Sequence, residues 1–492
     1  FRMSMDKLSL HSISSLAPSI ASFKPGEHFH NPKGLGWFVT GLFVVGDLAG
    51  GGIVALPTAL IQTGFYYGLA IMILMTAIVT FTAYVLGRSW TMLLDTWTEY
   101  HHHTRKPYAE IGYRALGPKM RVAVSIICDI TQFMIAVVYI LLASKNIQDF
   151  IEAFFDYNFT FCYIIVILAV CLLPVTFLKS PNDFWWAVVI AMFTTSAAVV
   201  LVIIGAALDY GVCSPERELP PLKATNFFLA LGTFLFSYGG HTAFPTIQHD
   251  MRVPADFDKS VVVAFTILAL MYLPTGVMGY LSYGDSLRDS VINSVQTMGI
   301  QQAINILITV HLILTLTIVF NPLNQDFEEL FNVPQQFSVK RVIVRTSIMV
   351  AAVFVAESVP SFGPLLDLVG GSTLTLTSIV FPCLFYLYIN TRVKKIMESK
   401  KDDGIPSISE VIRYNDKWII GASIFTMLFG LIGGGAATYS AIVEIAATKF
   451  EAPCYVMIVP SSGTSTNCCG QYQNITVFDS VQCSNPDLKY YL

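Results

Sequence analysis

From Trp37 onward the chain is written as long apolar stretches separated by short polar connectors. Eleven such stretches can be marked, at about 37–62, 65–87, 121–143, 160–178, 184–208, 225–247, 260–283, 301–322, 342–358, 365–390 and 418–446. Runs of about 20 apolar residues have the length that crosses a hydrocarbon core as helix. The pattern predicts an all-α polytopic membrane protein with eleven transmembrane helices. Two of the stretches are interrupted. The first holds "GDLAGGGIVALP", Gly46 to Pro57, and the sixth holds "SYGGHTAFP", Ser237 to Pro245. Glycine and proline weaken a helix, and two such breaks five spans apart predict a five-plus-five inverted repeat with discontinuous helices 1 and 6. Repeat one covers about 37–208 and repeat two about 225–390, with an extra helix 11 at about 418–446. A polar stretch, 1–36, precedes them and reads as a flexible tail without the apolar core of a signal peptide. A Cys-containing tail, 447–492, follows.

Composition agrees with the pattern. Of 492 residues, 54% are hydrophobic and 13% charged, and the mean hydropathy is +0.61, far from a soluble domain. No basic stripe points to nucleic acid. No intramembrane nucleophile with a base or metal set emerges, so the chain is not read as an enzyme, and no cofactor is expected. The net charge of −4 says less than its distribution. Arg2, Lys7, Lys24 and Lys33 precede span one; Arg88, Arg105, Lys106, Arg114, Lys119 and Arg121 lie between spans two and three; Arg392, Lys394, Lys395, Lys400, Lys401, Arg413 and Lys417 precede span eleven. The positive-inside rule then places the N-terminus in the cytosol and, after an odd number of spans, the C-terminus outside. The sequons at Asn158 and Asn474 both fall on the expected outer side, where glycosylation occurs. Cys213, Cys454, Cys468, Cys469 and Cys483 are expected in outer segments that allow disulfides, with Cys128, Cys162, Cys171 and Cys383 in or near spans. An odd outer count leaves the pairing open. Such a tail suits the plasma membrane, with a lysosomal or endosomal membrane as the alternative.

The breaks carry the candidate chemistry. Where a helix stops, backbone N–H and C=O groups lose their partners. The N–H groups suit a carboxylate and the carbonyls an ammonium or a cation. Gly50, Gly51, Gly52 and Ile53, with Tyr238, Gly239, Gly240 and His241, are therefore the expected substrate-binding residues. Glycine faces also serve helix packing in membranes, and that is the reading for Gly433, Gly434 and Gly435, which have no counterpart in the other repeat. Asp47 would cost about 2.5 to 3.5 kcal/mol at a helix centre unless offset. Asp47, His241 and Thr315 are the coupling-ion candidates. His311 and Asp129, with Gln132 one turn on, are weaker ones. Thr315 and Thr317 are separated by Leu316, so they do not present adjacent hydroxyls to one face, which argues against sodium. Glu357 and Arg345 near the ends of span nine can snorkel and are read as structural. His101 to His103 read as a solvated loop rather than a metal set, and Lys394 to Asp403 as a headgroup-facing, orienting segment.

Three stretches carry a resemblance. "GGGIVALPTALIQTG", "PYAEIGYRALGPKMR" and above all "FSYGGHTAFPTIQHDMRVPADF" are similar to the amino acid/auxin permease family, over about Trp37 to Ala446. The resemblance implies the five-plus-five fold of the amino acid-polyamine-organocation group with one further helix, and secondary active transport of amino acids by alternating access. With Asp47 and His241 beside the breaks, protons are the expected coupling ion and sodium the alternative. With no second acid beside Asp47, neutral amino acids are the expected substrates. Exchange of neutral amino acids and an amino acid sensor built on the same pocket are the competing readings. The expected partners are an amino acid and the lipid bilayer, with the oligomeric state left open.

Overall fold

The computed structural model describes residues 28–32, 34–102, 104–155, 160–177, 185–334, 336, 338–359, 361–447, 454–456, 466–477, 483–486, 488 and 490–491. Asn158, His103 and the tail before residue 28 lie outside the described residues. Sixteen helices follow in chain order: α1 Trp37–Leu48, α2 Leu56–Thr63, α3 Phe65–Thr96, α4 Pro107–Leu116, α5 Pro118–Phe155, α6 Phe161–Thr176, α7 Trp185–Cys213 and α8 Ala224–Ser237. The second half continues with α9 Phe244–His249, α10 Phe257–Tyr283, α11 Met298–Leu330, α12 Val339–Ser358, α13 Phe362–Val369, α14 Phe381–Ser399, α15 Ile408–Tyr414 and α16 Lys417–Ala447. Among the described residues there is no strand, only isolated bridges at Leu35–Met251 and Cys469–Ile475. Proline sits in the first turn of α2, α4, α9 and α14, where its missing N–H costs nothing and its fixed φ starts the helix. Gly64, at φ 74°, turns the chain between α2 and α3.

Among the described residues seven helices are long and apolar enough to cross a membrane, and an eighth span is added if α1 and the segment Ile53–Thr63, bent by 57°, count as one. α6 and α8 are shorter apolar helices. Several helices run past the apolar windows: α3 continues to Thr96 and α5 to Phe155, because hydropathy marks only the buried length of a helix. The stretch expected as one regular helix at 365–390 instead contains π-helical turns at Gly370–Leu374 and Leu376–Val380 between α13 and α14. α11 packs against both α5 and α7; α1 packs against α10 and α7, and α2 against α8 and α10. The α1–α2 break is thereby enclosed on several sides. On the periphery α16 lies along α8 and α13. A Cβ on Gly434 would stand 2.6 Å from the Gly371 carbonyl oxygen, so this glycine allows close approach of α16 to the π-helical turn.

One face of the bundle is covalently pinned. Cys162 pairs with Cys454, Cys213 with Cys469, and Cys468 with Cys483. Cys162, expected in or near a span, stands one residue inside the start of α6 and supplies the partner that the odd outer count left open. Asn474, on the same tail, is exposed.

The opposite face is held by charges. Arg345 is fully buried rather than snorkelling, with Nε 2.5 Å from Glu328 Oε1, and Arg341 Nε is 2.9 Å from the same oxygen. The physical reason is that Glu328, near the end of α11, offers a buried counter-charge that a single helix does not reveal. Glu357, near the other end of α12, is half-buried; its backbone carbonyl accepts from the Cys454 N–H at 3.0 Å. The segment Lys394 to Asp403 is partly paired with residues on either side of it instead of wholly headgroup-facing. Arg392 makes two 2.8 Å bonds to Asp402, and Lys395 Nζ is 2.6 Å from Glu410. The bond from Lys395, with the Ser407 N–H and hydroxyl of a capping box, holds the Glu410 carboxyl down at about 2.

Candidate functional site: two facing helix breaks

α1 ends at Leu48. Ala49 N–H still reaches Val45 O at 2.8 Å, but the ladder then fails. Gly50 N–H turns back on Leu48 O at 2.8 Å, and Ile53 and Ala55 make i−3 bonds to Gly50 and Gly52. Gly51 lies against Tyr139 on α5, where an added Cβ would stand 3.3 Å from the ring. A Cβ on Gly50 would lie 2.5 Å from Tyr139 Oη and 3.0 Å from His311 Nε2, so only glycine fits there. α8 ends in the same way. Tyr238 and Gly239 close the last turn on Phe234 and Phe236, and the chain resumes through Ala243 N–H to Gly240 O at 3.1 Å and enters α9.

The two breaks touch. A Cβ on Gly52 would lie 2.6 Å from Ser237 Oγ and 2.7 Å from Ser237 Cα, and Ser237 Oγ donates to Gly52 O at 3.0 Å. A Cβ on Gly240 would lie 2.6 Å from Leu48 Cδ2 and 2.9 Å from Asp47 Oδ2. The Tyr272 hydroxyl on α10 lies 3.0 Å from Leu48 O and 2.8 Å from Ser237 O. Gly50, Gly51, Gly52 and Ile53 are buried, as are Tyr238, Gly240 and His241, while Gly239 is half-buried.

The coupling-ion candidates separate into different environments. Asp47 is half-buried, and among the described residues no cation or hydrogen-bond donor reaches its carboxylate. His241 is fully buried and bonds Thr82 on α3 through Nε2 at 2.9 Å; its Nδ1 is buried without a partner. His311 bonds Thr195 Oγ1 at 2.7 Å and Ala191 O at 3.1 Å through Nδ1, leaving Nε2 toward Gly50 and 3.3 Å from Thr315 Oγ1. Thr317 donates to Leu314 O, within its own helix. Tyr238 is directed at α3, where Thr76 donates to its hydroxyl at 2.9 Å.

A profile of the family described as transmembrane amino acid transporter protein matches residues 33–403. The chain belongs to that family. Amino acid transporter AVT1J of Arabidopsis thaliana is 24% identical over 379 residues, which is 75% of this chain and 86% of the relative. Amino acid transporter AVT1D of the same plant is 25% identical over 408 residues, 81% and 68%. Lysine histidine transporter-like 1, also from Arabidopsis thaliana, is 26% identical over 392 residues, 72% and 80%. A crystal structure of MhsT in complex with L-phenylalanine aligns with a TM-score of 0.49 at 13% identity, covering 83% of this chain and all of that one.

In this member of the transporter family several site residues were not among those singled out from the sequence. Tyr139, Tyr272, Ser237, Thr82 and Thr195 touch the breaks or the candidate side chains, yet each is an unremarkable residue in its own span. Of the weaker candidates, Gln132 reaches the second break: its Nε2 donates to Thr242 at 3.2 Å. Asp129 is half-buried on α5 and, among the described residues, makes no contact with either break. His101 bonds the Leu94 carbonyl and stacks on Phe29. Among the described residues the one close set of metal-ligating types is Cys162, Glu357 and Cys454, and its cysteines are joined to each other.

Proposed function

We propose that the chain is a secondary active transporter that carries neutral amino acids with protons by alternating access. The observation that carries the reading is the junction itself: Gly52 against Ser237 and Gly240 against Asp47 and Leu48. It brings the backbone groups that the two helix ends leave without a helical partner to one buried place. An α-carboxylate suits the N–H groups of the Gly50–Gly52 turn. The α-ammonium suits the carbonyls that end α1 and α8, together with Asp47. The surroundings of the turn, Tyr139, Leu142 and Ile53, carry no formal charge, which favours a small or medium neutral side chain.

In the same reading the seven long helices, the α1–α2 pair, α6, α8 with α9, and α12 make eleven spans arranged as a five-plus-five inverted repeat plus α16. The N-terminus is cytosolic and the disulfide face extracytosolic, at the plasma membrane, with a lysosomal or endosomal membrane as the alternative. Proton coupling is supported by Asp47. An unpartnered carboxylate at such depth costs about 2.5 to 3.5 kcal/mol when ionised, so it gains from a proton or an ammonium. The Thr315 and Thr317 hydroxyls are each engaged within α11, which favours protons over sodium. One proton entering down 100 mV supplies about 2.3 kcal/mol.

The test is uptake by the purified chain in proteoliposomes, with a panel of labelled amino acids and separate proton and sodium gradients. Neutral amino acids should accumulate with an inward proton gradient, and Asp47→Asn should abolish that accumulation. Accumulation that follows sodium at fixed pH and ignores a pH gradient refutes the coupling. Binding without any accumulation refutes transport in favour of a sensor.

A further inference from the structure

The hydroxyl of Tyr272 holds a position that calls for a positive charge. Leu48 and Ser237 are the last residues of α1 and α8. Each carbonyl has lost the N–H that a continuing helix would supply four residues on. Leu48 O accepts only the tight turn from Gly50, and Ser237 O accepts no backbone bond among the described residues. Two negative helix ends thus face each other, a repulsive arrangement unless something donates between them. Tyr272 reaches in from α10, fully buried, and places its Oη 3.0 Å and 2.8 Å from the two oxygens. A hydroxyl has one proton to share between both acceptors. The neighbouring phenol of Tyr238, edge-on to Tyr272 at 5.1 Å, is engaged instead with Thr76 and the Met72 carbonyl. The bridging role therefore belongs to one hydroxyl and not to the aromatic cluster.

We infer that the Tyr272 hydroxyl stands in for a monovalent metal ion at the junction. It is a positioning residue that lets the two breaks stay joined without a bound cation, and loss of the hydroxyl alone turns the carbonyl pair into a site that demands one. The inference rests on reading the junction as the substrate site. The removal of one oxygen by Tyr272→Phe leaves the ring packing in place. It leaves two buried carbonyls that only a cation of suitable size can satisfy, because an apolar edge offers them nothing.

The experiment uses the full chain in lipid nanodiscs, in sodium, potassium or choline chloride at one pH and ionic strength, with melting temperature and amino acid Kd as readouts. The wild type should melt and bind alike in all three salts. Tyr272→Phe should melt several degrees lower in choline and bind about tenfold more weakly. Both losses should be restored by sodium, a rescue that a merely structural defect does not show. Tyr238→Phe should show no dependence on the cation. A Tyr272→Phe chain that behaves identically in choline and sodium overturns the inference. A wild type whose melting temperature rises with sodium overturns it too, and needs no variant to fold. A wild type that binds no amino acid, beside the expected melting pattern, refutes the substrate-site reading and leaves the assignment of Tyr272 intact.

Discussion

Gly52→Ala is the sharpest test of the junction. The added Cβ would stand 2.7 Å from Ser237 Cα, 2.6 Å from Ser237 Oγ and 3.0 Å from Ser237 Cβ. Carbon atoms prefer about 3.5 to 4.0 Å, so the nearest contact is short by roughly 0.8 Å. Ser237 cannot turn its way out, because one of the clashing atoms is backbone. The two breaks must part, which also stretches the 3.0 Å bond from Ser237 Oγ to Gly52 O. Overpacking of this kind costs about 1 to 3 kcal/mol. If the cost falls on the junction, amino acid affinity should drop by about fivefold to 150-fold, since 1.4 kcal/mol is tenfold. The measurement is equilibrium binding of a labelled amino acid to purified protein, with melting temperature alongside to separate local from global damage. Gly435→Ala is the control: nothing lies within 4 Å of its added Cβ, and in a helix interior alanine is favoured over glycine. Wild-type affinity in Gly52→Ala would refute the idea that these glycines bring the two breaks together at the binding site.

Removing Glu328 by Glu328→Ala strands Arg341 and Arg345 beside each other in a buried setting and should lower stability by about 3 to 5 kcal/mol, read as a fall in melting temperature; apolar replacement of all three residues should recover most of it. Cys213→Ser should cost about 2 to 5 kcal/mol, and peptide mapping of the unreduced wild type should recover the three pairs 162–454, 213–469 and 468–483. Because the folded Glu410 carboxyl sits at about 2, below its unfolded value, its contribution to capping α15 is complete above about pH 4.5 and is lost as pH falls toward 2. Amide exchange in α15, corrected for the intrinsic pH dependence, should therefore be unchanged between pH 7 and 5 and accelerate below pH 4; acceleration starting at pH 6 would contradict the assignment.

The breaks were legible because glycine and proline act locally. "GGG" and "YGG" announce where a helix cannot continue, and Pro57 and Pro245 where it starts again. Reading them as partners in a repeat led to the expectation that they meet, and Gly52 lies against Ser237. Tyr139 and Tyr272 were illegible for the opposite reason. Their importance lies in which way they face, and facing is set by packing with helices far away in sequence. Arg345 was misjudged because its counter-charge, Glu328, is on another helix. That Cys162 joins the outer cysteines was not legible because it lies one residue inside α6, where a hydropathy window cannot separate the end of a span from its interior.

The disulfides give the two ends of the molecule different mechanical character. On one face the tail is bonded to the start of α6 and to the end of α7, so these helix ends cannot part from the tail during a transport cycle. The other face carries, beside the buried Glu328 group, contacts that a small free energy undoes: Lys106 to Asp326, Arg105 to Glu329, and His28 to Asp95. The fold is therefore a jaw with a riveted hinge region and a magnetic clasp. Salt should loosen the clasp while leaving the rivets untouched.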